Sequence, residues 1–307
     1  IGDENISIED FKELVKKMSN LLKFKDQYIY IENSELEKLF KALNNPPSLN
    51  SKELLKVALS REYEDGKVFL TKDVIDDIEQ LTKISQIEKP NGLNAELRHY
   101  QETGYEWLYK NSQLGFGSLI ADDMGLGKTI QVIATLLKFK EEGKFQNKKS
   151  LAIVPTTLLT NWEKEIQRFA PDLKAFIYHG NKRELPQDDF DLILTTYGTI
   201  RNDIDIIKKL HLHTLIIDEA QNIKNPDTEQ TKAVKQVKAD IKIAMSGTPV
   251  ENRLSEYWSI FDFVNKGYLG SLKKFSDEFV TPIQQYRDMH KLEKFKKITQ
   301  PFILRRL

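Results

Sequence analysis

Ser118-Leu-Ile-Ala-Asp-Asp-Met-Gly-Leu-Gly-Lys-Thr129 is the stretch on which the reading of this chain turns. A short apolar strand enters a turn carrying Gly125 and Gly127, and Lys128-Thr129 opens the helical run 130–139. Backbone N–H groups in such a turn converge on an anion, and the helix N-terminus adds the positive end of its dipole. Lys128 supplies a point charge, and Thr129 a hydroxyl suited to Mg²⁺. The expected ligand is a nucleotide phosphate. Against the strict G-x-x-x-x-G-K-[ST] pattern the first glycine falls on Asp122, so Gly125 has to supply the turn's freedom.

A second stretch completes the site. Thr214-Leu-Ile-Ile-Asp-Glu-Ala-Gln221 reads as a buried strand with two carboxylates at its C-terminal end, where ligands of parallel sheets bind. Asp218 is placed to hold Mg²⁺ and Glu219 to polarise a water attacking a terminal phosphate. Three further strand ends carry hydroxyls: Ile153-Val-Pro-Thr-Thr-Leu158, Leu194-Thr-Thr-Tyr197 and Ala244-Met-Ser-Gly-Thr-Pro249. Hydroxyls and free backbone N–H groups there suit phosphate oxygens of a nucleotide or of a nucleic-acid backbone.

Working outward, strand-length apolar runs recur at 118–121, 151–154, 175–178, 192–195, 214–217 and 241–245, most of them separated by helical patterns. That alternation predicts an α/β fold with a mainly parallel sheet flanked by helices. Leu158, Leu159, Trp162, Ile166 and Phe169 make one apolar helical stripe, and Leu254, Trp258, Phe261 and Val264 make another, with more helix expected up to 299. Residues 301–307 read as a strand or linker. Before Lys89-Pro-Asn-Gly92 the pattern is a small helix-rich module: helices at 11–18 running on to Leu21 and Leu22, at 35–43, at 51–60 with Ser51 as N-cap, and at 71–84, with a short strand at 28–31. The expected domains are 1–92 and 93–307.

Composition narrows the class. Lys+Arg and Asp+Glu number 46 each, so no global positive field advertises nucleic acid, and any such site must be a local groove. With no cysteine, disulfides, thiolate-bound zinc and thiol catalysis are excluded, which fits a reducing cytoplasm. No apolar run reaches the roughly 18 to 20 residues that span a bilayer. The chain begins with Ile1, which suggests a piece of something longer.

These motifs resemble those of the Swi/Snf family of DNA-translocating ATPases. The resemblance rests on Asp122-Asp-Met-Gly-Leu-Gly-Lys-Thr129, on Asp218-Glu-Ala-Gln221 with Asn222-Ile-Lys-Asn225, and on Ser246-Gly-Thr-Pro-Val-Glu-Asn252 with Tyr257-Trp258. The family also writes aspartate at the position of Asp122. Leu97-Arg-His-Tyr-Gln101 resembles its first motif, which implies that Gln101 and Arg98 lie near the adenine. The resemblance implies a RecA-like lobe over 93–307 that binds ATP and Mg²⁺ through Asp123, Met124, Gly125, Leu126, Gly127, Lys128, Thr129, Ile130 and Gln221. Lys128, Asp218 and Glu219 would be catalytic, and Thr129 and Asp218 the Mg²⁺ ligands.

Thr156, Thr157, Thr196 and Lys224 would contact nucleic acid, duplex DNA before RNA, with an ATP-responsive binding module as a further alternative. Gln221 stands where the family usually has histidine. The second ATPase lobe, whose arginines complete such sites, is expected beyond the connector-like Phe302-Ile-Leu-Arg-Arg306, and its absence here implies little hydrolysis by this chain alone. Residues 1–92 resemble the helicase-associated segment of bacterial members, and the implied location is the bacterial cytoplasm or nucleoid, or the nucleus of a eukaryote.

Overall fold

The computed structural model describes the backbone of 21–24 and 27–30, and then residues 49–63, 66–83, 86–181, 183–185, 190–247 and 254–306. The chain divides into two compact units, Ile1–Leu54 and Leu55–Leu307. The expected boundary at 89–92 lies inside the second.

In the first unit β1 (Leu21–Phe24) and β2 (Gln27–Tyr30) pair antiparallel, with Leu21 opposite Tyr30 and Leu22 opposite Ile29. The strand expected at 28–31 is there, shifted by one. Leu21 and Leu22, expected to extend a helix, belong instead to its partner strand. Adjacent apolar residues fit either period over so short a run, and only the pairing partner decides between them. The helices expected at 11–18 and 35–43 lie outside the described residues.

Helix α1 (Ser51–Ser60) has the expected bounds but a different cap. Asn50 Oδ1 accepts from Lys52 N and Glu53 N, both at 3.1 Å, and Glu53 Oε2 accepts from Asn50 N at 3.0 Å. That reciprocal box makes Asn50 the N-cap and Ser51 the first helical residue. In the second unit β3 (Glu62–Tyr63) and β4 (Gly66–Lys67) form a small ladder, and α2 (Lys72–Thr82) follows within the span expected from periodicity.

From 99 onward strands and helices alternate: α3 (His99–Gln113), β5 (Ser118–Ile120), α4 (Lys128–Glu141), β6 (Lys149–Val154), α5 (Leu159–Phe169), β7 (Ala175–Ile177), β8 (Leu192–Thr196), α6 (Tyr197–Ile207), β9 (Leu212–Ile217), α7 (Glu229–Gln236), β10 (Ile241–Met245), α8 (Leu254–Val264) and β11 (Ile303–Leu304). The seven strands β5–β11 form one parallel sheet in the order β11-β5-β10-β9-β6-β8-β7. Both faces are covered. Ile120, Ala152, Val154, Leu194 and Ile216 point to the side packed by α3, α4 and α5. Their neighbours Leu119, Leu151, Ile153, Ile193, Leu215 and Ile217 point to the other. Burial on both faces is why these strands read as unbroken apolar runs rather than as alternations.

Gly117 lies just ahead of β5. A Cβ there would fall 2.3 Å from the Val264 carbonyl oxygen, and the Asn265 side chain bonds both backbone groups of Gly117 at 3.0 Å. The end of α8 is thereby fastened to the strand that feeds the phosphate turn. After α8 the chain makes a helical cap: α9 (Leu272–Phe275), a π-helical stretch Ser276–Gln285 containing Pro282, and α10 (Met289–Thr299). Phe261, Tyr268, Phe275, Phe279, Phe295 and Phe302 close into one aromatic cluster. Phe302 then leads into β11, which takes the edge position beside β5.

Candidate nucleotide site

The phosphate turn is strung between two strands. On one side Ser246 N donates to Ile120 O at 2.9 Å; on the other Ala121 N donates to Leu304 O at 2.7 Å and Asp123 N to Arg306 O at 3.1 Å. Gly125 (φ 85°) and Gly127 (φ 73°) both sit in the left-handed region, where a side chain is strained. Gln101 covers Gly127 so closely that a Cβ there would lie 2.4 Å from its Nε2. Asp123, Met124 and Gly125 are exposed, Leu126 to Thr129 are half-buried, and Ile130 is buried at the start of α4. Lys128 Nζ donates to the carbonyls of Asp122 at 2.8 Å and Asp123 at 3.0 Å. Its ammonium is thus held at the mouth of the turn by neutral acceptors that a phosphate would outcompete.

The carboxylates arrive from β9. Asp218 is 7% exposed; its Oδ2 accepts from Trp162 Nε1 at 2.9 Å and its Oδ1 from Glu219 N at 2.8 Å. Burial pushes its carboxyl above the ordinary range, while the Trp162 and Glu219 hydrogen bonds and the Lys128 charge pull it back. Glu165 on α5 is likewise raised, first by burial and then by the Asp218 charge, and is opposed by its hydrogen bond with Thr129. Thr129, Asp218 and Glu165 therefore share one neighbourhood, in which a divalent cation would relieve both carboxylates. Among the described residues no three His, Cys, Asp or Glu side chains converge as a metal cage. Mg²⁺ takes one or two protein oxygens and completes its shell with phosphate and water.

Glu219 carries the strained backbone of the site, at φ 52° and ψ 60°. A left-handed glutamate costs about 1–3 kcal/mol and persists only where its surroundings enforce it. Here its carbonyl accepts from Asn222 N and Nδ2, both at 2.9 Å, and its Oε2 accepts from Gln221 Nε2 at 2.7 Å. Gln221 Oε1 in turn accepts from Ser246 Oγ at 3.2 Å. The link from the carboxylates to Ser246 is therefore made by an amide that donates at one end and accepts at the other. Gly247 closes the ring: a Cβ on it would meet Met124 Cγ at 3.0 Å and Lys128 Nζ at 3.7 Å. Thr248 to Asn252 lie outside the described residues.

Beside the turn a cavity of about 360 Å³ is lined by Gln101, Gly127, Ile130, Lys164, Glu165, Arg168 and Phe169. Apolar walls with a few convergent polar groups suit a base and sugar. Arg98 is exposed and outside this lining; its backbone N–H donates to Gln101 Oε1 at 2.9 Å and so orients the glutamine.

Residues 100–307 match the SNF2-related domain, and residues 1–59 match a family described as SNF2 Helicase protein. The chain belongs to the SNF2-related family. Its RecA-like parallel sheet is similar to that of Swi/Snf-type, helicase-like ATPase cores. Similar proteins include a Bacillus subtilis (strain 168) protein named for ATP-dependent helicase/translocase activity, YwqA, which is 37% identical over 97% of this chain and 35% of its own length. The TATA-binding protein-associated factor mot1 of Schizosaccharomyces pombe is 35% identical over 75% of this chain and 13% of its own. Among solved structures, the Sulfolobus solfataricus SWI2/SNF2 ATPase core in complex with dsDNA is 44% identical with a TM-score of 0.68, over 72% of this chain and 46% of that one. This SNF2-related chain thus spans about a third of the Bacillus relative and under half of the Sulfolobus core.

The residues expected at nucleic acid divide into two groups. Thr156 and Thr157 are exposed at the end of β6, open to solvent. Lys224 is half exposed and pairs with Glu256 at 3.4 Å, a contact a phosphate would have to displace. Thr196 is 3% exposed, and its hydroxyl caps α6 by accepting from Thr199 N at 3.3 Å. Burial and capping take Thr196 out of the expected contact.

Sequence reasoning missed four supports of the SNF2-related site. The place of Trp162 in an apolar stripe hid the bond its indole N–H makes to Asp218. Glu165 gave no motif signal; Tyr197 ends the stretch Leu194-Thr-Thr-Tyr197, but nothing local shows that its OH donates to Asp218 O at 2.6 Å. Arg306 is the fourth.

Proposed function

We propose that this chain is the ATP-binding lobe of a motor that couples ATP hydrolysis to movement on duplex DNA or remodelling of protein–DNA complexes. The observation that carries the reading is the convergence of the Lys128 ammonium, the Asp218–Trp162 pair and Gly247 on one phosphate turn. Gly125, Gly127 and Lys128 cradle the phosphates, Thr129 and Asp218 would hold Mg²⁺, and Glu219, aligned by Gln221, orients the attacking water. When bound, Mg²⁺ would supply charge neutralisation on the phosphate oxygens. Gln101 and the cavity beside it take the base. Among the described residues Lys128 is the cation at the phosphate turn, and an arginine finger contributes roughly 10³ to 10⁵ in related chemistry, so we expect slow hydrolysis from this chain by itself. Residues 1–92 act as an accessory segment, and the protein works where DNA is, in a cytoplasm or nucleus. No helix among the described residues is long and apolar enough to cross a membrane.

Duplex DNA is favoured over RNA because the 44% identical Sulfolobus core is itself in complex with dsDNA. Fluorescence anisotropy with duplex DNA, single strands and RNA of equal length tests this. The expected result is tightest binding to duplex, falling steeply with salt and weakened by Thr156→Ala/Thr157→Ala. Tighter binding to RNA, or salt-insensitive binding, would overturn the assignment.

A further inference from the structure

Asp122 stands where the strict phosphate-loop pattern has glycine, and its carboxylate is fully buried. Its partner, Arg306, lies 184 positions further along the chain. Arg306 Nε donates to Oδ1 at 3.0 Å and Oδ2 at 3.1 Å, and a terminal guanidinium nitrogen also reaches Oδ2. The same fork donates to Gln131 Oε1 at 2.8 Å and to the Tyr100 carbonyl, and the guanidinium lies 5.3 Å from the Tyr100 ring centroid. Space has been left for it. A Cβ on Gly104 would sit 1.8 Å from Gln131 Oε1 and 3.0 Å from Arg306 Nη2.

The segment that carries Arg306 is fixed at both ends. Upstream, Trp107 Nε1 and Asn111 Nδ2 donate to the Pro301 carbonyl at 3.0 and 3.1 Å; downstream, the Arg306 carbonyl accepts from Asp123 N. Arg306 thus holds the side chain of Asp122 while the carbonyls of Asp122 and Asp123 hold Lys128. Asp122 thus belongs both to the buried ion pair and to the carbonyls that hold the ammonium.

We propose that Arg306 is a positioning residue for nucleotide binding. By fixing Asp122 it sets the shape of the phosphate turn and the position of Lys128, and so ties segment 303–306 to the nucleotide site. The aspartate in place of glycine is the receptor for that arginine. A buried carboxylate that loses its only guanidinium is left uncompensated, which disturbs its surroundings far more than removing both charges together. The proposal rests on the ATP site assigned above, and the experiment separates the two.

ATP is titrated at a temperature well below the melting transition into wild type, Lys128→Ala, Arg306→Ala, Arg306→Lys and Arg306→Ala/Asp122→Asn, with circular dichroism to confirm folding. Arg306→Ala is expected to weaken ATP at least tenfold and Arg306→Lys by less. The double variant, with no stranded charge, should recover at least half of the loss on a logarithmic scale. Wild-type affinity in folded Arg306→Ala, or a double variant no better than the single, would overturn the proposal. If Arg306→Ala does not fold, Arg306→Lys decides, because wild-type affinity there would be equally fatal. Failure of wild type to bind ATP, or no effect of Lys128→Ala, would instead remove the ATP site itself.

Discussion

In the full-length protein, replacing Glu219 by Gln leaves ATP and Mg²⁺ binding close to wild type and lowers phosphate release by roughly 10²- to 10⁴-fold, the usual contribution of a positioned general base. The substitution is nearly isosteric. An amide can still meet Gln221 and preserve the strained turn at φ 52°, but it cannot take a proton from water. Asp218, Lys128 and the glycine turn are untouched, so the two readouts separate. Steady-state phosphate release is the measurement, with nucleotide affinity taken from equilibrium titration of the same sample. A rate within threefold of wild type would dismiss Glu219 as the base.

Lys128→Ala has its largest effect on affinity. Truncating one partner of a hydrogen-bonded, desolvated charge pair costs about 2–5 kcal/mol, or roughly 30- to several thousand-fold in Kd. The lower part of that range is expected here, because wild-type Lys128 gives up two carbonyl hydrogen bonds, at 2.8 and 3.0 Å, when it moves to phosphate. The free protein should be little destabilised, since Lys128 is half-buried and its contact with the Asp123 carbonyl is exposed. Calorimetric ATP binding indistinguishable from wild type would contradict the role.

How much of this was legible depended on whether a feature is local in sequence. The phosphate turn was readable because glycine, lysine and threonine at fixed spacing have few other uses. The sheet was readable because strands buried on both faces leave unbroken apolar runs. What stayed hidden is long-range pairing. Nothing near Asp122 announces that Arg306 neutralises it, and nothing near Asp218 announces the Trp162 indole.

Thr196 shows the converse: a hydroxyl at a strand end can bind phosphate or cap the next helix, and only burial distinguishes the two. Leu21 and Leu22 fit helix and strand alike, because two adjacent leucines satisfy both periods until a hydrogen-bonded neighbour is known. The αL backbone of Glu219 is likewise invisible in sequence, since glutamate has no local preference for it.

The central claim is that the turn around Lys128 and the carboxylates after β9 are one site. Titrating ATP with and without Mg²⁺ into wild type and Asp218→Asn tests it most directly. If the site is single, Mg²⁺ tightens ATP binding to wild type at least tenfold and does little for Asp218→Asn, whose affinity in chelator stays near wild type. An equal response to Mg²⁺ in both proteins would show that Asp218 does not share a metal with the nucleotide, and would contradict the account.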